Sequence, residues 1–165
     1  MHRLLLTALV FVIVACDFVP EKVTWGDPRL VPMLKAIEAV DRSSLGFTPI
    51  QPNATVSLES RPRAQYDAML HIYGDTSRTI AFRKIGNEYK WISEQEAYTG
   101  PKTYETPDGT LREQIVITFG TESVSGHEPN KLHVEYWGED PRLVGRRNLT
   151  LKQVFPIIEE WKSRK

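Results

Sequence analysis

Residues 66–91 decide the fold, and they read Tyr-Asp-Ala-Met-Leu-His-Ile-Tyr-Gly-Asp-Thr-Ser-Arg-Thr-Ile-Ala-Phe-Arg-Lys-Ile-Gly-Asn-Glu-Tyr-Lys-Trp. Within this stretch apolar residues alternate with others at Tyr66, Ala68, Leu70, Ile72, Ile80 and Phe82. The pairs Gly74-Asp75 and Gly86-Asn87 are residue types that tight hairpin turns prefer. The pattern predicts β-hairpins that bury one face of each strand.

The same period of two extends in both directions, from about residue 54 to residue 137. Val56 and Leu58 indicate an earlier strand, and a long strand is predicted from Tyr89 to about Tyr98. After the turn Pro107-Asp108-Gly109, two further strands are marked by Ile115, Ile117 and Phe119, and by Leu132, Val134 and Tyr136. Six strands joined by short turns predict an antiparallel meander with one packed and one wet face.

A helix is predicted on each side of the strands. Asp27-Pro28 is a favoured helix start, and apolar residues recur at helical spacing through a predicted helix 28–43. Thr150 and Gln153 fit a capping box before a second apolar helix that ends near Ser163. Pro156 is expected to bend this helix or delay its start. We therefore predict one α+β domain over residues 27–165, with both helices against the apolar face of the sheet.

Composition excludes several classes of protein. Of 165 residues, 41% are hydrophobic and 25% are charged, which is typical of a folded globular chain. Basic and acidic residues number 21 each, so no strong field draws the chain to nucleic acid. Because Cys16 is the single cysteine, a domain beyond it has neither a disulfide nor a thiolate metal site.

The N-terminal segment has the layout of a secretory signal. His2 and Arg3 are followed by an apolar stretch from Leu4 to Val14, which is too short to span a bilayer as a helix. The sequence Ile13-Val14-Ala15-Cys16 resembles the lipobox of bacterial lipoproteins. The alternatives are an ordinary signal peptide that leaves a spare thiol, and an uncleaved anchor helix.

The lipobox resemblance implies a diacylglyceryl group on the Cys16 thiol, cleavage before Cys16, and often acylation of the new amino terminus, with fatty acids such as palmitate. Residues 1–15 are then a signal peptide and residues 16–26 a lipidated tether. The protein is expected on the periplasmic or extracellular side of a cell membrane, in the cell envelope. Asp17 resembles the signal that retains such proteins in the inner membrane of some bacteria.

No catalytic, metal or cofactor motif is found in the sequence. Nucleophile elbows and glycine-rich phosphate loops are missing, and His71, His127 and His133 are scattered. We expect His71 and His133 on the wet face of their strands, and His127 in a loop. The sequence therefore predicts no metal site and no cofactor.

Acidic residues offer the one enzymatic alternative. Glu94 and Glu96 project from the same face of the long strand, which we expect to be wet, and Glu105 and Glu113 flank the next hairpin. The preferred interpretation is a surface covered by cross-strand ion pairs, with Arg78, Arg83, Lys90 and Arg112 available as cations. The alternative is a small envelope hydrolase that uses Glu94 or Glu96.

Aromatic residues indicate a core and an alternative binding surface. Tyr89 and Trp91 are expected in the core. Tyr98, Tyr104 and Trp137 are expected to be more exposed, where they would line a groove for a partner.

A short sequence echo links the two ends of the predicted domain. Trp25-Gly-Asp-Pro-Arg-Leu-Val31 recurs, with one inserted glutamate, as Trp137-Gly-Glu-Asp-Pro-Arg-Leu-Val144. The preferred interpretation is two Asp-Pro helix starts, and the alternative is a pair of corners that bind something together.

Taken together, the sequence favours a membrane-tethered, non-enzymatic lipoprotein that binds an envelope protein or a small ligand. Nucleic acid is not an expected partner.

The anchor gives the first testable prediction. Cys16→Ser removes the thiol that would carry the diacylglyceryl group, so we expect incorporation of labelled fatty acid to be lost and the precursor to accumulate. Metabolic labelling followed by electrophoresis measures both effects. Label retained by the variant at the level of the native protein would refute the assignment.

Overall fold

The computed structural model describes residues 19–124 and 126–164, so Cys16 and the lipobox lie outside the described residues. A single antiparallel sheet of seven strands dominates it, with the strands in sequence order. The strands are β1 (Glu21–Val23), β2 (Thr55–Glu59), β3 (Ala68–Tyr73), β4 (Ser77–Ile85), β5 (Glu88–Thr106), β6 (Gly109–Gly120) and β7 (His133–Trp137). Two α-helices, α1 (Val31–Glu38) and α2 (Leu151–Ser163), complete the fold. The predicted α+β class and meander are confirmed.

The seventh strand, β1, lies inside the segment 16–26 that the sequence assigned to a tether. Glu21 pairs with Leu58 and Val23 with Val56, both in β2. Trp25 then donates its indole N–H to the carbonyl oxygen of Ala54 at 2.7 Å. The described part of that segment therefore belongs to the folded domain. Three residues are too few for an alternation to be recognised in the sequence.

The first helix starts where the sequence predicts and ends earlier. Asp27 accepts a hydrogen bond from the backbone N–H of Arg29 at 2.9 Å, which caps a short 3₁₀ turn before α1. The α-helix ends at Glu38, so the predicted end at residue 43 is wrong. Residues 39–42 form tight turns instead, and these bring Arg42 towards the sheet.

The second helix agrees with its capping signal. The side chain of Gln153 accepts a hydrogen bond from the backbone N–H of Thr150 at 2.8 Å, and the helix begins at Leu151. Pro156 lies within the helix and does not delay its start.

The main core lies between the sheet and the two helices. One apolar cluster packs under α1 and includes Leu30, Met33, Leu70, Phe82 and Trp91. A second packs under α2 and includes Ile115, Ile117, Val154, Ile158 and Trp161. We call this side of the sheet the helix face, and the opposite side the outer face.

A β-bulge in β5 changes which residues point to the helix face. Ala81 of β4 pairs with Ser93, but the next residue, Phe82, pairs with Trp91, so Ile92 is one residue extra. Trp91 packs in the core under α1, whereas Ile92 packs with Ala81 on the outer face. Beyond the bulge the alternation is therefore shifted by one residue, and even-numbered positions face the helices.

The hairpin of β5 and β6 extends beyond its neighbours. The last pair between β4 and β5 is Ser77 with Ala97, and β7 reaches only as far as Gln114 of β6. Residues 99–112 thus form a two-stranded arm, on which Leu111 is half exposed. At its base the buried carboxylate of Glu113 accepts hydrogen bonds from the Lys102 backbone N–H and the Tyr136 hydroxyl.

The sequence echo forms two similar corners, one after each edge strand. In the second, Asp140 accepts hydrogen bonds from the backbone N–H and the guanidinium group of Arg142, which also contacts Glu160 at 2.8 Å. In the first, Asp27 holds Arg29 in the same way, and Arg29 contacts Glu21 at 2.8 Å. These internal contacts favour the interpretation of the echo as two structural corners.

The second corner predicts a specific acid sensitivity. The contact with Arg142 lowers the pKa of the buried Asp140 carboxyl to about 2, below the unfolded value of roughly 3.9. Its stabilisation is therefore present above pH 4 and lost as the pH falls towards 2, and amounts to about 1–2 kcal/mol. We expect Asp140→Asn to lower stability at pH 6 and to flatten its dependence on pH between 4 and 2.

Urea unfolding at several pH values measures this effect. Asp108→Asn, in the exposed turn of the arm, is the matched control and should leave the pH dependence unchanged. Equal acid sensitivity of native protein and Asp140→Asn would contradict the assignment.

Candidate functional site

The two glutamates singled out in the sequence lie at the centre of the helix face. Glu94 and Glu96 have no exposed surface, and each lies in a row with apolar residues of the neighbouring strands. The prediction that they share a face is confirmed, but the prediction that this face is wet is wrong. The bulge at Ile92 is the physical reason, because it turns even-numbered residues of β5 towards the helices.

Two arginines neutralise these carboxylates. Arg42 donates from Nε and Nη2 to the two oxygens of Glu94 at 2.7 and 2.6 Å. Arg78 donates from Nη2 to Glu96 at 2.6 Å, and its Nε lies 3.3 Å from Glu94. We call these four residues the buried-charge cluster. Its charges sum to zero, as burial in a low-dielectric interior requires.

The buried-charge cluster also fixes the segment that follows α1. The carbonyl oxygen of Thr48 accepts hydrogen bonds from Arg42 at 3.0 Å and from Arg78 at 2.9 Å. The backbone N–H of Thr48 donates to Glu96 at 3.0 Å, and its hydroxyl group also contacts Glu96. Residues 42–48 are therefore held against the middle of the sheet at both ends, through Arg42 and Thr48. We call residues 42–48 the fastened segment.

Ionisation states in this region follow from the same contacts. Burial disfavours the charge on Arg42, but the contacts with Glu94 and Glu96 outweigh it, so the pKa of Arg42 is raised. Burial, together with the negative charge of Glu96, raises the pKa of the Tyr98 hydroxyl. Both shifts follow from burial and from contact with the buried-charge cluster.

Cavities lie on both sides of the fastened segment. On the α1 side is a cavity of about 600 Å³, which we call the apolar pocket. Most of the residues that line it are apolar, and four are polar or charged. The lining residues are Trp25, Leu34, Ile37, Glu38, Val40, Asp41, Arg42, Ser43, Phe47, Pro49, Ile50 and Pro52. On the other side are two smaller clefts of about 400 and 230 Å³, which share Asp75, Thr76 and Lys162.

The three aromatic residues proposed as a partner surface do not form one. Tyr98 is buried under α2, so its predicted exposure is wrong, again because of the bulge. Trp137 is 55% exposed, but its pairing with Gln114 places it on the opposite face from Tyr98, which pairs with Ile115. Tyr104 is half-buried on the arm. Tyr89 and Trp91 do pack in or against the core, as predicted.

The other predicted polar residues are dispersed. Arg78 is the only one of the four predicted cations in the buried-charge cluster. Arg83 contacts Glu122 instead at 2.8 Å, and Lys90 and Arg112 are exposed. Glu105 accepts a hydrogen bond from Thr110 on the arm, far along β5 from the cluster.

The histidines are less exposed than predicted. The Nε2 atoms of His71 and His133 are buried, and burial lowers the pKa of His71. His71 lies 3.7 Å from Glu59, and the rings of His127 and His133 are 4.7 Å apart. Within residues 19–124 and 126–164, no group of three or more potential ligands is arranged to hold a metal ion.

Comparisons with known proteins give no relative from which a function could be inferred. No family, curated protein or solved structure matches the chain. None of the helices in the described part of the chain is long and apolar enough to cross a bilayer.

The apolar pocket was missed by sequence reasoning. Its wall is built largely from residues 40–52, which have no regular secondary structure and hence no period to recognise. Arg42 and Glu94 are 52 residues apart, and no local spacing signals their contact. The available signal was the recurrence of apolar residues at Phe47 and Ile50, both of which line the pocket.

The buried-charge cluster gives a prediction on stability. Arg42→Met leaves Glu94 buried without its main partner, so we expect the free energy of unfolding to fall by about 3–5 kcal/mol. Combining it with Glu94→Leu removes both charges and should restore a large part of that loss. Urea unfolding of the two single variants and the double variant measures the coupling.

The control is Lys131→Met, which breaks one ion pair between exposed side chains, with Glu128, and should cost less than about 1 kcal/mol. A loss for Arg42→Met no larger than that for Lys131→Met would contradict the structural role of the cluster.

Proposed function

We propose that this chain is a lipid-anchored protein of the cell envelope, attached through Cys16, whose domain binds a small apolar ligand in the apolar pocket. The domain acts by binding, without catalysis. The observation that carries the proposal is the 600 Å³ pocket beside the fastened segment.

The anchor is supported by the lipobox-like sequence and by its spacing from the domain. Four residues lie between Cys16 and Glu21, the first residue of the sheet, and the five steps that join them would span roughly 17 Å when fully extended. A chain acylated at Cys16 therefore keeps its domain close to the bilayer. Two or three acyl chains are needed for stable attachment, since one gives marginal binding.

The pocket has the size and lining expected of a ligand site. Pockets for small molecules enclose roughly 300–1,000 Å³ and are lined mainly by apolar side chains with a few polar groups. Trp25, Leu34, Val40 and Ile50 pack against the core and are still only partly buried, because they border this cavity. Covering their exposed apolar surface with a ligand is favourable by about 25 cal/mol per Å².

The state of the glutamates argues against the hydrolase alternative. A catalytic carboxylate needs a free oxygen within reach of the substrate. Glu94 and Glu96 are fully buried, and their oxygens are engaged by Arg42, Arg78, Thr48 and Thr76. This arrangement supports a structural role for both residues.

A variant that fills the pocket tests the proposal. Leu34 lines the pocket from α1, so Leu34→Trp should occupy the space and exclude the ligand. We expect small apolar molecules to co-purify with the native protein from its membrane and to be reduced at least fivefold with Leu34→Trp. Mass spectrometry of organic extracts measures both.

Leu111→Trp on the arm is the matched control, since Leu111 is exposed and distant in the chain from the pocket. Circular dichroism should show that both variants fold. Equal amounts of co-purified molecules in both variants, or none with the native protein, would argue against the pocket as a ligand site.

A further inference from the structure

We infer that the ligand of the apolar pocket carries a positive charge next to an apolar body, as an alkylammonium compound does. This inference rests on the proposed function and adds the chemical class of the ligand. It follows from an excess of negative charge at the rim of a cavity whose walls are apolar.

Two acidic residues, Glu38 and Asp41, line the pocket beside its apolar walls. Glu38 is the last residue of α1, Asp41 follows three residues later, and both are exposed. Asp41 accepts hydrogen bonds from the Ser43 hydroxyl at 2.8 Å and the Ser44 backbone N–H at 3.3 Å. These bonds lower the pKa of the Asp41 carboxyl, so it is ionised at neutral pH.

The end of α1 adds to this negative potential. The last turn of a helix carries the negative end of the helix dipole. In α1 the carbonyl groups of Lys35 and Ile37 accept hydrogen bonds from the backbone N–H groups of Ala39 and Val40, and these turns keep that end of the helix ordered. Ile37, Glu38 and Val40 line the pocket, so the C-terminal end of α1 lies at its rim. A cation bound there is stabilised by both the carboxylates and the helix end.

Nearby basic residues do not cancel this charge. Arg42 lines the pocket, but its guanidinium group is bound to Glu94, and the buried-charge cluster as a whole is neutral. Lys35, in the last turn of α1, is 81% exposed and lies 4.0 Å from Glu88. Among the residues that the structure describes, no Lys, Arg or His nitrogen lies within 4.0 Å of the carboxylates of Glu38 and Asp41.

Three probes with the same tail separate charge from apolar contact. Octylammonium, octanol and nonanoate are cationic, neutral and anionic at pH 7.5, and each carries the same C8H17 tail. Exposed ion pairs are individually weak, so two rim carboxylates should favour the cation over the alcohol by about fivefold.

A cysteine placed at the rim reports occupancy of the pocket. Pro52 is exposed and lines the pocket, and Cys16 is the chain's single natural cysteine. In full-length Pro52→Cys protein held in lipid nanodiscs, a bound probe should slow the reaction of the new thiol with a neutral maleimide. The native protein gives the background from Cys16, and equilibrium dialysis gives the free probe concentrations. Asn87→Cys, in the exposed β4–β5 turn, is the control for effects outside the pocket.

We expect octylammonium to protect Pro52→Cys at about one fifth of the octanol concentration, and nonanoate to protect least. Adding Glu38→Gln removes one negative charge from the rim. It should therefore reduce the difference between the octylammonium and octanol concentrations that are needed to protect the thiol. Equal protection by all three probes would overturn the charge inference and leave the apolar pocket standing. Failure of every probe to protect the thiol would overturn both, while the Cys16 anchor is tested separately by fatty-acid labelling.

Discussion

The buried-charge cluster is the interaction on which the rest of this structure depends. Each of its four charges would be costly to bury alone, and each is made tolerable by an opposite charge a hydrogen bond away. The cluster joins a residue just after α1 to two neighbouring strands, and its arginines hold the Thr48 carbonyl group between them. A chain segment without helix or strand is thereby given one defined path across the sheet.

That path creates the proposed binding site. The segment from Arg42 to Thr48 crosses the helix face between the apolar clusters under α1 and α2, and it leaves cavities on both sides. A wall fixed by several hydrogen bonds loses little freedom when a ligand arrives, which favours binding. The charges therefore shape the site without needing to contact its ligand.

Much of the fold could be predicted from the sequence, because alternation and turn residues are local signals. The six strands from β2 to β7, the start of α1 at Asp27 and the cap of α2 all follow from such signals. The errors at Glu94, Glu96 and Tyr98 share one cause. The alternation read from Tyr89 and Trp91 was carried through the extra residue Ile92, and a one-residue shift exchanges the two faces of a strand. The bulge and the pairing of Arg42 with Glu94 depend on contacts distant in sequence, which a local pattern does not contain.

The direction in which the arm formed by residues 99–112 projects is set by the order of the strands. Four antiparallel pairings separate β1 from β5, so the two strands run in the same direction. The chain enters the sheet at the start of β1, whereas the arm is the far end of β5. The arm therefore leaves the sheet at the end opposite to the one where β1 begins, on the far side from the point at which the chain enters the sheet.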